Sequence, residues 1–191
     1  DIPEWRIERH VRCRCGESGF DNSPRFDGGP EADAVDFGGF LAHDYACLAE
    51  IFARLGDAGR EGLCRAQAQR IAAAVERDLW CESERFYLDR RLDGSFIPVK
   101  ASSGFVPLLA GIPSRARARA LADHLTNPKT FGSVVPIPSV ALDAGTFSKD
   151  MWRGPMWLNL NYIAWVGLRR YELYDEAARL REITLDRVRR W

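Results

Sequence analysis

The sequence predicts an all-α fold with a small β insertion. Three observations carry this reading. Apolar residues recur at spacings of three and four along several long stretches. Short Gly-bearing links join successive stretches, which makes neighbouring helices antiparallel. Only the segment 85–99 changes period and looks like paired strands.

Residues 16–30 contain the run ESGFDNSPRFDGGP, whose turn formers predict a loop. Val35, Phe37, Phe40, Leu41, Tyr45, Leu48, Ile51, Phe52 and Leu55 place an amphipathic helix over 33–55, stopped by Gly56. Leu63, Ile71, Val75 and Leu79, on an Ala-rich background, place a second helix over 60–79. The Asp93–Gly94 pair accepts positive φ and marks the turn of a hairpin over 85–99. A short helix over 102–111 ends at Gly111, and Ser114 caps a helix over 114–125. Pro128, Gly132, Pro136 and Pro138 break up 126–154 into a long, apolar-rich loop of the kind that carries function. Helices over 155–171, with Pro155 in the first turn, and over 175–190 complete about six helices in one domain spanning 1–191.

Composition excludes several classes. With 27 basic and 27 acidic residues the net charge is zero, unlike the basic excess of nucleic-acid binders. No apolar run approaches the roughly 18 residues of a membrane span, and the polar opening DIPEWRIERH is no signal peptide. The first residue is Asp rather than Met, which points to a piece of a longer protein. Five Cys in a chain of this length suggest reduced thiols and a cytoplasmic setting rather than a disulfide framework. Cys13 and Cys15 form a CxC with no second metal-ligand pair, and the three His match no metal spacing. Walker, GxGxxG and GxSxG motifs are absent.

Two loops hold the chemistry-bearing residues. The first groups Glu17, Asp21, Asn22, Arg25 and Asp27 between Gly16, Gly19 and Pro24. An Arg and an Asn beside a carboxylate can orient it, and Phe20 and Phe26 can exclude water from it, as a general acid requires. The same residues also suit a surface loop that caps the following helix. The second, FSKDMWRGPMWLNLNY at 147–162, sets Trp152 and Trp157 about Arg153, with Asn159 and Asn161 following. Aromatic faces stack on sugar C–H faces while Arg and Asn reach hydroxyls. A Trp-rich helix packed into a core reads the same way.

Taken together, ESGFDNSPRFD, LWCESERFYLDRRLDG, KASSGFVPLLAGIP and PIPSVALDAGTFSKDMWRGPMWLNLNYIAWVGLRRY resemble glycoside hydrolase family 63 and the related mannosylglycerate and glucosylglycerate hydrolases. The first motif is more distantly similar to trehalases. The resemblance covers roughly 16–190 and implies an (α/α)6 barrel, here incomplete. It implies hydrolysis of an α-glycosidic bond with inversion, a small carbohydrate substrate and no cofactor. Asp21 matches the general acid. Glu17, Asn22 and Arg25 match positions that orient it or contact sugar, and Trp152, Arg153, Gly154, Trp157 and Asn161 match the sugar pocket. The resemblance places the family's general base on a Glu in a segment that would follow Trp191, and Glu172, Glu176 and Glu182 are no good substitute for it. HVRCRC departs from the family's usual aromatic and makes 1–15 an irregular start. Helix faces left without partners imply self-association. A non-catalytic helical-hairpin module that binds carbohydrate or protein is the alternative reading.

Overall fold

The computed structural model describes residues 6, 7 and 11–190. Its helices are α1 (Val35–Arg54), α2 (Ala58–Asp78), α3 (Val106–Ala110), α4 (Arg115–Thr126), α5 (Leu158–Arg170) and α6 (Tyr174–Arg189). All six expected helices are present. The chemistry at their ends is local. Asp57 accepts from the Arg60 backbone N–H at 3.0 Å to start α2, and Ser114 accepts from that of Arg117 at 3.3 Å to start α4. Gly111 closes α3 in the left-handed region (φ 71°).

α1, α3 and α5 lie side by side, and missing side chains allow it. A Cβ on Gly39 of α1 would sit 2.9 Å from Val106 Cγ1 of α3, and one on Gly167 of α5 would sit 2.4 Å from Leu108 Cβ. α2 packs back on α1, and α6 on α5 and α4. The core runs between them: Val35, Ile71, Val75, Leu79, Leu108, Leu121, Ala164, Leu168 and Leu180 are all buried. Phe86, Phe105 and Phe131 form an aromatic knot within it, with ring centroids 4.9–5.5 Å apart.

The strands differ from the expected single hairpin. β1 (Arg6–Ile7), β2 (Val11–Arg14) and β3 (Glu31–Asp33) form an antiparallel sheet that the sequence did not reveal. Val11–Arg14, taken as part of an irregular start, is therefore a strand; the rest of that start, 1–5 and 8–10, lies outside the described residues. Within 85–99 the Asp93–Gly94 turn forms, with Gly94 at φ 85°. It closes only a single bridge, Arg90 to Phe96. The ladder lies earlier, between β4 (Trp80–Cys81) and β5 (Phe86–Tyr87), where Trp80 and Tyr87 meet edge to face. Pro155 is not in the first turn of α5, which starts at Leu158 because Met156 is held in a bridge to Pro138.

Each of α1, α3 and α5 is preceded by a long loop, 11–34, 79–105 and 127–157, and the three loops are stitched together. Bridges join Asp33 to Arg90, and Ala101 to Val140. These three helices thus present their N-terminal ends to one shared loop layer. Among the described residues no helix is long and apolar enough to cross a membrane. Ile51 of α1 and Leu55 just after it, and Leu158 and Tyr162 of α5, expose large apolar side chains.

Candidate active site

Asp21 sits at the tip of a tight turn. Ser23 N–H bonds to Phe20 C=O at 2.8 Å, which places Asp21 and Asn22 at the two corner positions. The turn is supported from below. The Cys15 thiol donates to the Asp21 carbonyl at 2.8 Å, and Ser18 Oγ receives the Phe20 N–H at 3.0 Å. Ser23 then opens the short 3-10 turn Pro24–Phe26. Asp21 itself is exposed, and among the described residues its carboxylate has no hydrogen-bond or ion-pair partner. The expected aromatic shielding is not found. Phe20 turns inward, 5% exposed, and stacks on Trp152 rather than covering Asp21.

The second loop is bolted to the first by polar contacts. Asn22 Oδ1 accepts from Trp152 N–H at 2.9 Å, while its Nδ2 donates to Asp150 Oδ2 at 2.8 Å. Arg153 forks onto Asp27 at 2.9 and 2.7 Å and also reaches the Asn22 carbonyl at 3.0 Å. The hydrogen bonds from Arg153 hold the Asp27 carboxyl below the usual carboxylate range. An aromatic stack lies beside these bonds. Trp152 is sandwiched between Phe20 (4.0 Å, 9°) and Trp157 (3.9 Å, 5°). With both faces covered, Trp152 cannot stack on a sugar; half-buried Trp157 is the outer ring of the stack.

Gly154 is required by close approach. A Cβ there would fall 1.9 Å from the Ser148 carbonyl oxygen, because the loop folds back through a Ser148 N–H to Arg153 C=O bond of 2.9 Å. Gly154→Ala is expected to destabilise the full-length protein by about 1–3 kcal/mol or more, since backbone rather than a movable side chain must yield. A thermal melt within a degree of the parent would contradict this.

Three expected site residues serve the scaffold. Arg25, matched to a sugar-contacting or acid-orienting position, is 1% exposed and paired with Asp36 and Asp89; burial removes it from direct contact with a ligand. Asn161 is 2% exposed and joins Pro136 C=O (3.3 Å) to Thr184 Oγ1 (3.0 Å), tying the second loop to α6. Glu17 Oε2 accepts the Arg14 N–H at 2.9 Å and closes the turn into the Asp21 loop. Asp36, Asp89 and Asp150 were missed. Asp150 lies inside the SKDMWRGP motif and was legible there. Asp89 lies inside LWCESERFYLDRRLDG, but neither it nor Asp36 carries a local sign of its pairing, because their partner Arg25 is 64 and 11 residues away.

A cavity of about 410 Å³ opens between the 79–105 and 127–157 loops. Lys100 in its wall is held by Glu84 (2.8 Å) and Asp143 (3.1 Å), so its charges answer one another. Among the described residues no group of three or more His, Cys, Asp or Glu is placed to hold a metal.

Residues 9–190 match the profile of the mannosylglycerate hydrolase MGH1-like glycoside hydrolase domain. The chain belongs to this family. Among curated members, the mannosylglycerate hydrolase of Rubrobacter radiotolerans is 38% identical over 153 residues, which is 78% of this chain and 34% of that protein. The mannosylglycerate hydrolase of Thermus thermophilus is 37% identical over 105 residues, 54% of this chain and 25% of that protein. The chain thus spans about a third or less of these relatives' length. Its fold superposes on a family 63 mannosylglycerate hydrolase from a second strain of Thermus thermophilus, solved with glucose, at a TM-score of 0.86 and 26% identity, covering 95% of this chain and 54% of that one. The neutral trehalase of Saccharomyces cerevisiae, at 18% identity and a TM-score of 0.76 over 87% of this chain and 33% of that one, shares the fold. The mannosylglycerate hydrolase-like chain is thus part of a six-hairpin helical barrel.

Proposed function

We propose that the full-length protein hydrolyses an α-glycoside of glycerate, mannosylglycerate first, with inversion, and that Asp21 is its general acid. The observation that carries this reading is the placement of Asp21. An exposed carboxylate rides on a turn fastened to the WRGP loop through Asn22, Arg153 and the Phe20–Trp152–Trp157 stack. A general acid needs that combination of access and fixed direction. Protonation of the glycosidic oxygen by Asp21 lets glycerate leave through a hydroxyl instead of an alkoxide. A second carboxylate, about 6.5–9.5 Å away, takes a proton from the water that attacks the opposite face. We assign that base to the Glu of the segment that follows this region in the resemblance.

The sugar contacts follow from exposure. Trp157 offers the face not covered by Trp152, and Arg153 and Asn22 edge the acid's turn. Trp152, Gly154, Arg25 and Asn161 hold that surface from beneath, and Glu17 closes the turn that leads into it. The chemistry uses two carboxylates and water and calls on no cofactor.

The test follows the product anomer. Full-length protein is mixed with α-mannosylglycerate in an NMR tube. β-Mannose should appear first and then mutarotate. Initial α-mannose would overturn the inverting mechanism. Tight binding without hydrolysis would favour the non-catalytic binding module.

A further inference from the structure

Beneath the acid turn lies an ionic cluster that the proposed chemistry does not use. The Arg25 side chain is 1% exposed, and those of Asp36 and Asp89 are 1% and 3% exposed. Arg25 donates through Nη1 and Nη2 to Asp36 at 2.7 and 2.8 Å, and through Nε to Asp89 Oδ2 at 2.5 Å. The other oxygen of Asp89 accepts the Val35 N–H at 2.9 Å, at the start of α1. Asp89 therefore joins the Asp21 loop, the start of α1 and the 79–105 loop.

Such a cluster is a poor stabiliser. Desolvation of buried ions offsets most of their attraction, and apolar replacements are often neutral or better. Here one cation faces two carboxylates, and burial pushes Asp89 above the usual carboxylate range despite Arg25. Its geometry suggests another use. The Arg25 guanidinium carbon lies over the Phe20 ring at 5.1 Å and the Phe26 ring at 5.3 Å. Phe20 in turn stacks on Trp152, and Trp152 on Trp157. The carboxylates, the guanidinium and three rings form one column, and Asp21 is the residue next to Phe20. A guanidinium held on two edges, by Asp36 and by Asp89, cannot tilt; held on one, it can.

We propose that Asp89 is a positioning residue: by locking Arg25 against Asp36 it sets the seat of Phe20, and so the direction in which Asp21 projects. The inference rests on Asp21 being the general acid. A displaced acid penalises only leaving groups that need a proton. Glycerate needs one; fluoride needs little.

The experiment compares α-mannosylglycerate with α-mannosyl fluoride on the full-length protein carrying Asp89→Asn, which keeps an acceptor for Val35 N–H. Turnover of mannosylglycerate should fall about 10- to 100-fold, as for a catalytic group shifted by about 1 Å, with turnover of the fluoride within about twofold of the parent. KM for both should hold. Equal losses on the two substrates, or no loss, overturn the proposal. If Asp89→Asn loses its cooperative melt, Arg25→Lys is read against the same two outcomes. Asp21→Asn is run beside it. If that variant shows no leaving-group selectivity, the assignment of the acid is wrong and this inference falls with it. If it does and Asp89→Asn does not, the inference alone fails.

Discussion

Asp21→Asn in the full-length protein is expected to lower turnover of mannosylglycerate by roughly 10²–10⁴-fold, the usual contribution of a positioned acid. The side chains are isosteric, but the amide has no acidic proton to give to the leaving oxygen. The fold should be indifferent. Asp21 is exposed and its carboxylate holds nothing in place among the described residues, while the contacts that shape its turn come from backbone groups and from the side chains of Cys15, Ser18 and Asn22. An unchanged melting temperature beside a large rate loss is therefore the expected pair of results. Initial rates and a thermal melt on one preparation check both. Near-normal turnover of mannosylglycerate would remove Asp21 from the mechanism.

The largest stability effect is expected at Arg25. Arg25→Ala takes the cation from two buried carboxylates, and breaking a buried pair in this way costs about 3–5 kcal/mol. Cys13 is also close, but its buried thiol titrates far above neutrality and adds no charge there. The deficit should depend on pH. Asp89 already sits above the ordinary range because burial disfavours its anion, and loss of Arg25 removes the charge that opposes this. A carboxyl raised in the folded state carries no penalty below its unfolded value of about 3.9. The penalty grows as pH rises toward the folded value and is complete above it. The variant should therefore lie nearest the parent in acid and fall furthest behind near neutrality. Denaturant unfolding from about pH 4 to about pH 7 measures this. A loss below about 1 kcal/mol that ignores pH would mean that the cluster relaxes or admits water.

The two residues differ in how visible they are to a reader of the sequence. The six helices and their stops at Gly56 and Gly111 were legible because helical periodicity and capping are decided within a few residues. The Asp93–Gly94 turn was legible for the same reason, yet its strand ladder was not. Pairing at Trp80–Tyr87 depends on which side chains meet across the hairpin, and that pairing won over the segment beside the turn. The sheet β1–β2–β3 was missed because its strands are short and β2 meets β3 across the whole 16–30 loop.

The two site loops were found from their residue types, and their family was recognisable from the motifs alone. The order of those residues along the chain carries which groups exist and which turns bring them near. Burial is a different quantity. Arg25 and Asp21 are four positions apart in a loop where both look like ligand-binding groups. One is exposed, and the other is sealed beneath it against Asp36 and Asp89. Trp152 and Trp157 look equivalent until Phe20 covers the second face of Trp152. The sequence by itself determined the helices, the loops and the candidate chemistry, because each is set by neighbours along the chain. Only the tertiary structure decided which of those side chains are exposed and which hold the others still. That choice depends on desolvation by residues from distant segments, and no local pattern records it.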